Sequence, residues 1–300
     1  MFSVVIPTCG RPGKLRECLR RVTEQGGDCE VIVSDDGRTN GARRVVAEFP
    51  AVQWMQGSRR GPAANRNCGA RQAKGEWLVF LDDDCLPDAG WLAGYREAAA
   101  KDVEVLEGRT ECPLEDGFEF YEIVENLRGG AFWSCNLAVR RARFEELGGF
   151  DEDFTRACAE DMEFAWRMRK RGLRSKFVPG ALVLHPPRWM GAWDLMKRTA
   201  AHRWVLLYRL KTGQGPRIGC STFEAVMGLI AREGVDTLRM IYHLWRDRDA
   251  GRTKGRSLEV IWRCVSLPGF LTYYLYWELR YRWMLEGRRS GGGGGTVANG

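Results

Sequence analysis

The sequence predicts an α/β protein whose central sheet is mostly parallel, followed by a helical appendage. Three observations carry that reading. Short runs of β-branched and aliphatic residues alternate with helix-patterned segments up to Pro187, the spacing of βαβ units with right-handed crossovers. Two of the apolar runs, Glu30-Val31-Ile32-Val33-Ser34 and Trp77-Leu78-Val79-Phe80-Leu81, end in acids, Asp35-Asp36-Gly37 and Asp82-Asp83-Asp84. Beyond Pro187 the strand pattern gives way to long amphipathic, basic segments.

Taken in order, Phe2 to Pro7 is a strand stopped by proline and a turn at Thr8-Cys9-Gly10. Pro12 opens a helix to about Glu24, with Leu15, Cys18, Leu19 and Val22 at helical spacing. After the second strand come a helix around Gly41 to Phe49, a strand near Val52 to Met55, a helix from Pro62 to Lys74, and the central strand. Strands are expected from Val103 to Gly108, Phe132 to Val139 and Ala181 to Leu184, with a helix opening at Glu160-Asp161 and stopping at Gly172. Helices over Trp193–Leu210, Phe223–Ala231, Val235–Trp245 and Leu258–Trp283 complete the appendage. The expected organisation is a catalytic-type domain over 1–187, a helical extension over 188–290 and a flexible Gly-rich tail over 291–300.

Composition bounds the function. With 44% hydrophobic and 28% charged residues in 300, the chain can bury a large core. Residues 1–187 hold 27 Lys+Arg against 30 Asp+Glu, and residues 188–300 hold 19 against 9, so the basic excess lies in the last third. There Trp245, Trp262, Tyr273, Tyr274, Tyr276, Trp277, Tyr281 and Trp283 interleave with Arg263, Arg280 and Arg282. Such a mixture suits a helix lying on an anionic membrane surface, and equally one packed on the main domain. No stretch reaches the ~18 to 20 apolar residues of a spanning helix. The ten cysteines are scattered without a C-x-x-C pair, and Met1 to Pro7 is a strand rather than a signal segment. A cytoplasmic protein with reduced thiols is expected, touching at most the inner face of the cytoplasmic membrane.

Chemistry concentrates where the apolar runs end. Adjacent carboxylates repel unless a positive charge sits among them, and oxygen ligands at a strand end suit Mg2+ or Mn2+. Residues i and i+2 of an extended segment face one side, so Asp82 and Asp84 are expected to converge while Asp83 points elsewhere. Open α/β sheets place ligands outside the carboxyl ends of their strands. A solvated acidic loop is the alternative.

Ile6-Pro7-Thr8, Val33-Ser34-Asp35-Asp36-Gly37, the segment Gly61-Pro62-Ala63-Ala64-Asn65-Arg66-Asn67, and Gly75-Glu76-Trp77 running into Asp82-Asp83-Asp84 occur in an order that resembles glycosyltransferase family 2. Gly148-Gly149-Phe150-Asp151-Glu152 and Glu160-Asp161 extend the match to about residue 187. The resemblance implies a GT-A fold and an inverting hexosyltransferase that moves a sugar from a nucleotide diphosphate donor, UDP being the favoured nucleotide. It implies a donor-binding set of Pro7, Thr8, Asp36, Arg66, Asp82 and Asp83, with Asp82 on the ribose. Asp84 would hold Mn2+ or Mg2+, and His185 would be a third contact or a structural histidine. Asp161 would be the general base beside Glu160, although acids in a first helical turn are also ordinary dipole partners. Trp133 would stack on a sugar or join the core.

The expected partners are a nucleotide-sugar donor and a glycan or lipid-linked acceptor of the cell envelope, with peripheral membrane contact through the C-terminal helices and no nucleic acid. The competing reading is an inactive GT-A-like domain whose basic, aromatic tail binds anionic lipid or nucleic acid. The ordered acids Asp36, Asp82, Asp84 and Asp161 favour the enzyme.

Overall fold

The computed structural model describes residues 1–113, 121–189, 192–213, 276–277, 279–281 and 283–285. The expected helices over Phe223–Ala231 and Val235–Trp245, most of Leu258–Trp283 and the tail 291–300 lie outside the described residues. The chain divides into two compact units, Met1–Trp189 and Met190–Gly300.

The first unit carries β1 (Phe2–Thr8), α1 (Pro12–Thr23), β2 (Cys29–Asp35), α2 (Gly41–Val46), β3 (Val52–Gln56), α3 (Pro62–Gln72), β4 (Trp77–Leu81), β5 (Leu86–Pro87), α4 (Trp91–Ala98), β6 (Val105–Glu111), β7 (Tyr121–Glu122), β8 (Asn136–Arg140), α5 (Arg141–Glu146), α6 (Glu160–Lys170), β9 (Ser175–Leu184) and β10 (Arg188–Trp189). An eight-stranded sheet has the order β3-β2-β1-β4-β8-β6-β9-β5, and β10 pairs with β7 in a separate ribbon. Pairs β2–β3, β1–β2, β1–β4 and β6–β9 are parallel, whereas β4–β8, β6–β8 and β5–β9 are antiparallel. Within the eight-stranded sheet all strands but β8 and β5 therefore point one way, and β1, β2, β4 and β9 end on one rim.

Alternation along the strands builds a core on each face. Val4, Ile6, Val31, Val33, Val79 and Leu81 face one side, where Leu15, Cys18, Leu19 and Val22 of α1 pack with Trp91 and Tyr95 of α4. Val5, Ile32, Leu78 and Phe80 face the other, against Ala63 and Ala70 of α3, Phe144 of α5, and Phe164 and Met168 of α6. Phe80 meets Phe144 and Phe150 at 5.1 Å between ring centroids. Burying each such side chain contributes roughly 1.5–3 kcal/mol. Close approach of α3 to the sheet depends on Gly69, where a Cβ would stand 2.6 Å from Val5 Cγ1.

Two boundaries differ from the sequence expectation for physical reasons. The strand expected from Phe132 begins only at Asn136, because Phe132 is left-handed (φ 53°) and the Asn136 N–H closes a turn on Trp133 O at 3.1 Å. β9 extends back to Ser175 through Pro179-Gly180, because a register shift opposite Gly108/Arg109 takes those residues out of the ladder.

In the second unit α7 (Ala192–Thr212) buries Trp204, Leu206, Leu207 and Leu210. The Arg203 guanidinium lies 4.6 Å from the Trp204 ring and 4.4 Å from the Trp277 ring. Among the described residues no helix is long and apolar enough to cross a membrane.

Candidate active site

The rim is assembled by register. Pro7 is buried in β1, and Thr8 closes that strand opposite Asp35 at the end of β2. Asn65 of α3 ties the two ends, its Nδ2 donating to Thr8 O at 3.2 Å and Ser34 O at 2.9 Å. Asp36 follows β2 and accepts the N–H groups of Arg59 at 2.7 Å and Gly61 at 3.3 Å. Gly57 leaves room for it, since a Cβ there would stand 2.3 Å from Asp36 Oδ1. Asp35 is structural: its carboxylate accepts from the Gly37 N–H at 2.7 Å and the Trp54 Nε1–H at 3.4 Å.

β4 ends at Leu81, and the acids after it lie in a turn closed by Cys85 N–H to Asp82 O at 3.1 Å. The extended-chain expectation that pairs Asp82 with Asp84 does not hold in this turn. Asp83 and Asp84 instead share Arg11, and Asp82 has a different partner. Asp83 is wholly buried, accepting from Thr8 Oγ1 at 2.6 Å and Arg11 Nε at 3.3 Å. Burial pushes its pKa up to about 7, against the pull of Arg11 and Thr8. For Asp84 burial also works upward, but Arg11, His185 and Lys14 outweigh it and hold the carboxyl below its ordinary range.

His185 follows β9, and the pairing of Leu86 with Leu184 brings it beside Asp84. Its Nε2 stands 3.9 Å from Asp84 Oδ1. Two ligand atoms each ~2.1 Å from one ion are separated by about 3 to 4.2 Å, so this pair fits a divalent cation. The Nδ1 lies 3.2 Å from Pro186 O, a group that only accepts, and the tautomer protonated at Nδ1 would leave the Nε2 lone pair to the Asp84 side. The ligand atoms of Asp84, Cys85 and His185 all lie within 4.8 Å of one another. Burial raises the Cys85 thiol well above its ordinary pKa, which leaves the carboxylate and imidazole as the ligands a hard ion would take.

Arg66 connects this turn to α6. Its side chain is only 4% exposed, and it donates to Asp82 Oδ1 at 2.8 Å and Glu160 Oε1 at 3.1 Å. Glu160 also accepts the Cys158 N–H at 2.7 Å, across the left-handed Ala159 (φ 68°). Its pKa is raised by burial and by Asp161, with Arg66 opposing. Asp161 is placed differently: Oδ2 accepts the Ser134 N–H at 3.2 Å, and its buried Oδ1 has no hydrogen-bond partner among the described residues. Burial raises this pKa too, against Arg66 and Ser134. Leu81 pairs with Asn136, so the Phe132–Cys135 turn enters the sheet beside the point where Asp82 leaves it.

The structure thus brings Thr8, Asp83, Asp84 and His185 into one cluster and Arg66, Asp82, Glu160 and Asp161 into a second that joins it through Asp82-Asp83-Asp84. Asp36 sits beside Thr8, whose carbonyl accepts its N–H at 2.9 Å. Trp133 packs at the edge of the core and donates Nε1–H to Glu125 O at 3.2 Å. Sequence reasoning missed Arg11, Lys14 and Ser134. The first two carried a readable signal, two cations at a helix start directly after the strand end at Thr8; the Ser134 backbone N–H carried none. A separate cavity of about 570 Å³ lies between α3, α5 and α6, lined by Asn67, Arg71, Phe144, Glu152 and Arg167 among others. None of the rim acids lines it.

A sheet whose strand ends gather carboxylates, with an acid-bearing helix start facing them, defines a glycosyltransferase of the GT-A type. The model of glycosyl transferase family 2 matches residues 3–153, and the chain belongs to that family. It is 26% identical over 215 residues to glycosyltransferase AglE of Haloferax volcanii, covering 65% of this chain and 69% of that protein. It is 29% identical over 222 residues to validoxylamine A glucosyltransferase of Streptomyces hygroscopicus subsp. limoneus, covering 58% of this chain and 49% of that protein. Among solved structures it resembles mannosyltransferase PcManGT from Pyrobaculum calidifontis in complex with GDP-Man and Mn2+ (TM-score 0.53, 18% identity, 93% of this chain and 85% of that one). It also resembles GalNAc-T7 with UDP, GalNAc and Mn2+ (TM-score 0.56, 18% identity, 70% of this chain and 47% of that one). The chain spans about half the length of two of these proteins, the validoxylamine A glucosyltransferase and GalNAc-T7, and the structural likenesses establish the fold.

Proposed function

We propose that this chain transfers a sugar from a nucleotide diphosphate donor to an acceptor hydroxyl by single inverting displacement, with Asp161 as general base. One observation carries the assignment: of two adjacent acids, Glu160 is consumed by Arg66 and the Cys158 N–H, whereas the buried Oδ1 of Asp161 has no hydrogen-bond partner among the described residues. The acceptor hydroxyl gives its proton to Asp161 as its oxygen attacks the anomeric carbon and the nucleoside diphosphate departs. The Ser134 N–H orients the carboxylate, and Arg66 holds the base helix against the donor turn.

Asp36, Thr8, Pro7 and Asp82 form the donor side; the wholly buried Asp83 supports it through Thr8 and Arg11, and Arg66, expected on the donor, is instead assigned to holding Asp82 and Glu160. Asp84 and His185 would hold Mn2+ or Mg2+, which when bound supplies Lewis-acid stabilisation of the charge building on the leaving diphosphate. UDP is the expected nucleotide; of the two similar structures, PcManGT is in complex with GDP-Man and GalNAc-T7 with UDP, so both nucleotides belong in the test. The expected acceptor is a lipid-linked or cell-envelope glycan. Peripheral attachment to an anionic membrane is supported by Tyr276, Leu279 and Trp283, which recur at i, i+3 and i+7 and are 54%, 50% and 78% exposed.

A screen of UDP- and GDP-sugars for thermal stabilisation, with and without Mn2+, tests the donor, since ligand affinity is read directly as added stability. Stabilisation by a nucleotide sugar that depends on Mn2+ and disappears in Asp84→Asn is expected. Equal melting temperatures across the whole screen would reject the donor assignment. Liposome co-sedimentation of the full chain and of Tyr276→Ser/Leu279→Ser/Trp283→Ser tests attachment, and equal partitioning would reject it.

A further inference from the structure

Asp84 Oδ1 faces His185 Nε2, but its other oxygen is already taken. Asp84 Oδ2 accepts from Arg11 Nη1 at 2.7 Å and from Lys14 Nζ at 3.2 Å. Arg11 also pairs with the buried Asp83, so two positive side chains neutralise two of the three acids at the strand end. Both cations sit at the start of α1, where Pro12 fixes the first turn and Gly13 has nothing within 4 Å of where a side chain would begin. Their side chains are 42% and 48% exposed, whereas Asp83 and Asp84 are 0% and 11% exposed. The acids are buried, while both cations lie part-exposed at the ends of long, rotatable stems.

A divalent ion taking Asp84 and His185 must share one carboxylate with these two cations, and like charges at such range repel strongly. A diphosphate changes the balance, because its oxygens are better partners for a guanidinium and an ammonium than a carboxylate already shared three ways. We propose that Arg11 and Lys14 form an internal counter-cation clamp on Asp84, which the donor's diphosphate releases by drawing both side chains onto itself. Metal and donor then bind as a coupled pair: the ion alone meets a site already charge-balanced, and the diphosphate opens it. By linkage the ion raises diphosphate affinity by the same factor. The inference rests on the proposed metal role of Asp84 and on a diphosphate donor.

Two single-ligand titrations of the full-length chain separate the clamp from that underlying reading. Mn2+ binding is followed by loss of the free-ion electron paramagnetic resonance signal, with no nucleotide present. Lys14→Gln, whose side chain contacts only Asp84 among the described ion pairs, is expected to bind Mn2+ about fivefold or more tightly than the parent chain, the lower end of ordinary coupling. Arg11→Gln/Lys14→Gln is expected to bind tighter still. Inorganic pyrophosphate, titrated calorimetrically into chelator-treated protein, is expected to lose at least about tenfold in affinity in the double variant. Asp84→Asn tests the metal site alone: Mn2+ binding unchanged there means the ion site is misplaced. Loss of Mn2+ in Asp84→Asn combined with no tightening in Lys14→Gln overturns the clamp. Because Arg11 also supports the buried Asp83, the double variant can lose stability; Lys14→Gln carries the test if it does.

Discussion

Arg66 and Glu160, far apart in the chain and each with a side chain only 4% exposed, meet at 3.1 Å, and the same guanidinium holds Asp82 at 2.8 Å. One buried cation therefore fixes the distance between the turn that follows β4 and the helix that bears the proposed base. Burial works against its charge, but Asp82, Asp161 and Glu160 together raise its pKa, so it stays charged.

Arg66→Met leaves Asp82 and Glu160 without their cation. The expected loss is about 3–5 kcal/mol in urea unfolding, the scale for breaking a buried pair from one side. Arg66→Met/Glu160→Met should recover part of it. A single variant as stable as the parent chain would show that Arg66 is not the tie between the two elements.

Asp161→Asn keeps the size of the side chain and the Ser134 contact but removes the proposed proton acceptor. Transfer should fall by roughly 10²–10⁴ with donor affinity retained. A fall in donor affinity with turnover preserved would move Asp161 to the donor side.

Asp161 must be ionised to accept a proton, and burial raises its pKa. The acid limb of kcat/KM should therefore lie above the ordinary carboxylate value of ~3.9 and rise with pH through the raised value. Stability runs the other way. Glu160 and Asp161 bind their protons more tightly folded than unfolded, so the stabilisation they contribute is complete below the unfolded pKa and is lost as pH rises through the folded one. Unfolding curves between pH 4 and 8 would show it, and a flat profile of activity across that range would exclude an essential base with a raised pKa.

Gly57→Ala would place a Cβ 2.2 Å from Asn65 Oδ1 and 2.3 Å from Asp36 Oδ1. Displacing Asp36 should weaken nucleotide binding by about tenfold, equivalent to ~1.4 kcal/mol, with a smaller effect on kcat. Unchanged nucleotide affinity by calorimetry would remove Asp36 from the donor pocket.

What the sequence revealed follows from which residues report their surroundings locally. Leu15, Cys18, Leu19 and Val22 are all buried because a one-sided apolar stripe admits one orientation. α5 escaped because only Phe144 of its six residues is buried. α4 has a stripe at Trp91, Leu92, Tyr95 and Ala98, but it is eight residues long and interrupted by Gly94, whose role is to approach the Gly180 backbone. The acids themselves were legible and their pairing was not. Alternation assigns faces only within an extended chain, and β4 ends one residue too early for it to govern Asp82, Asp83 and Asp84. Nor does any local pattern say that Arg66 is answered by Glu160, since that contact is created by the packing of α3 beside α6.

β4 has parallel neighbours on its β1 side and an antiparallel neighbour in β8. That reversal gives the cleft two independent hinterlands. The proposed donor residues Thr8, Asp36 and Asp82 follow outgoing strands, while the Phe132–Cys135 approach to Asp161 leads into a returning one. If Asp161 is the base, exchanging the stretch ahead of β8 should change which hydroxyl is accepted while leaving donor affinity as it was.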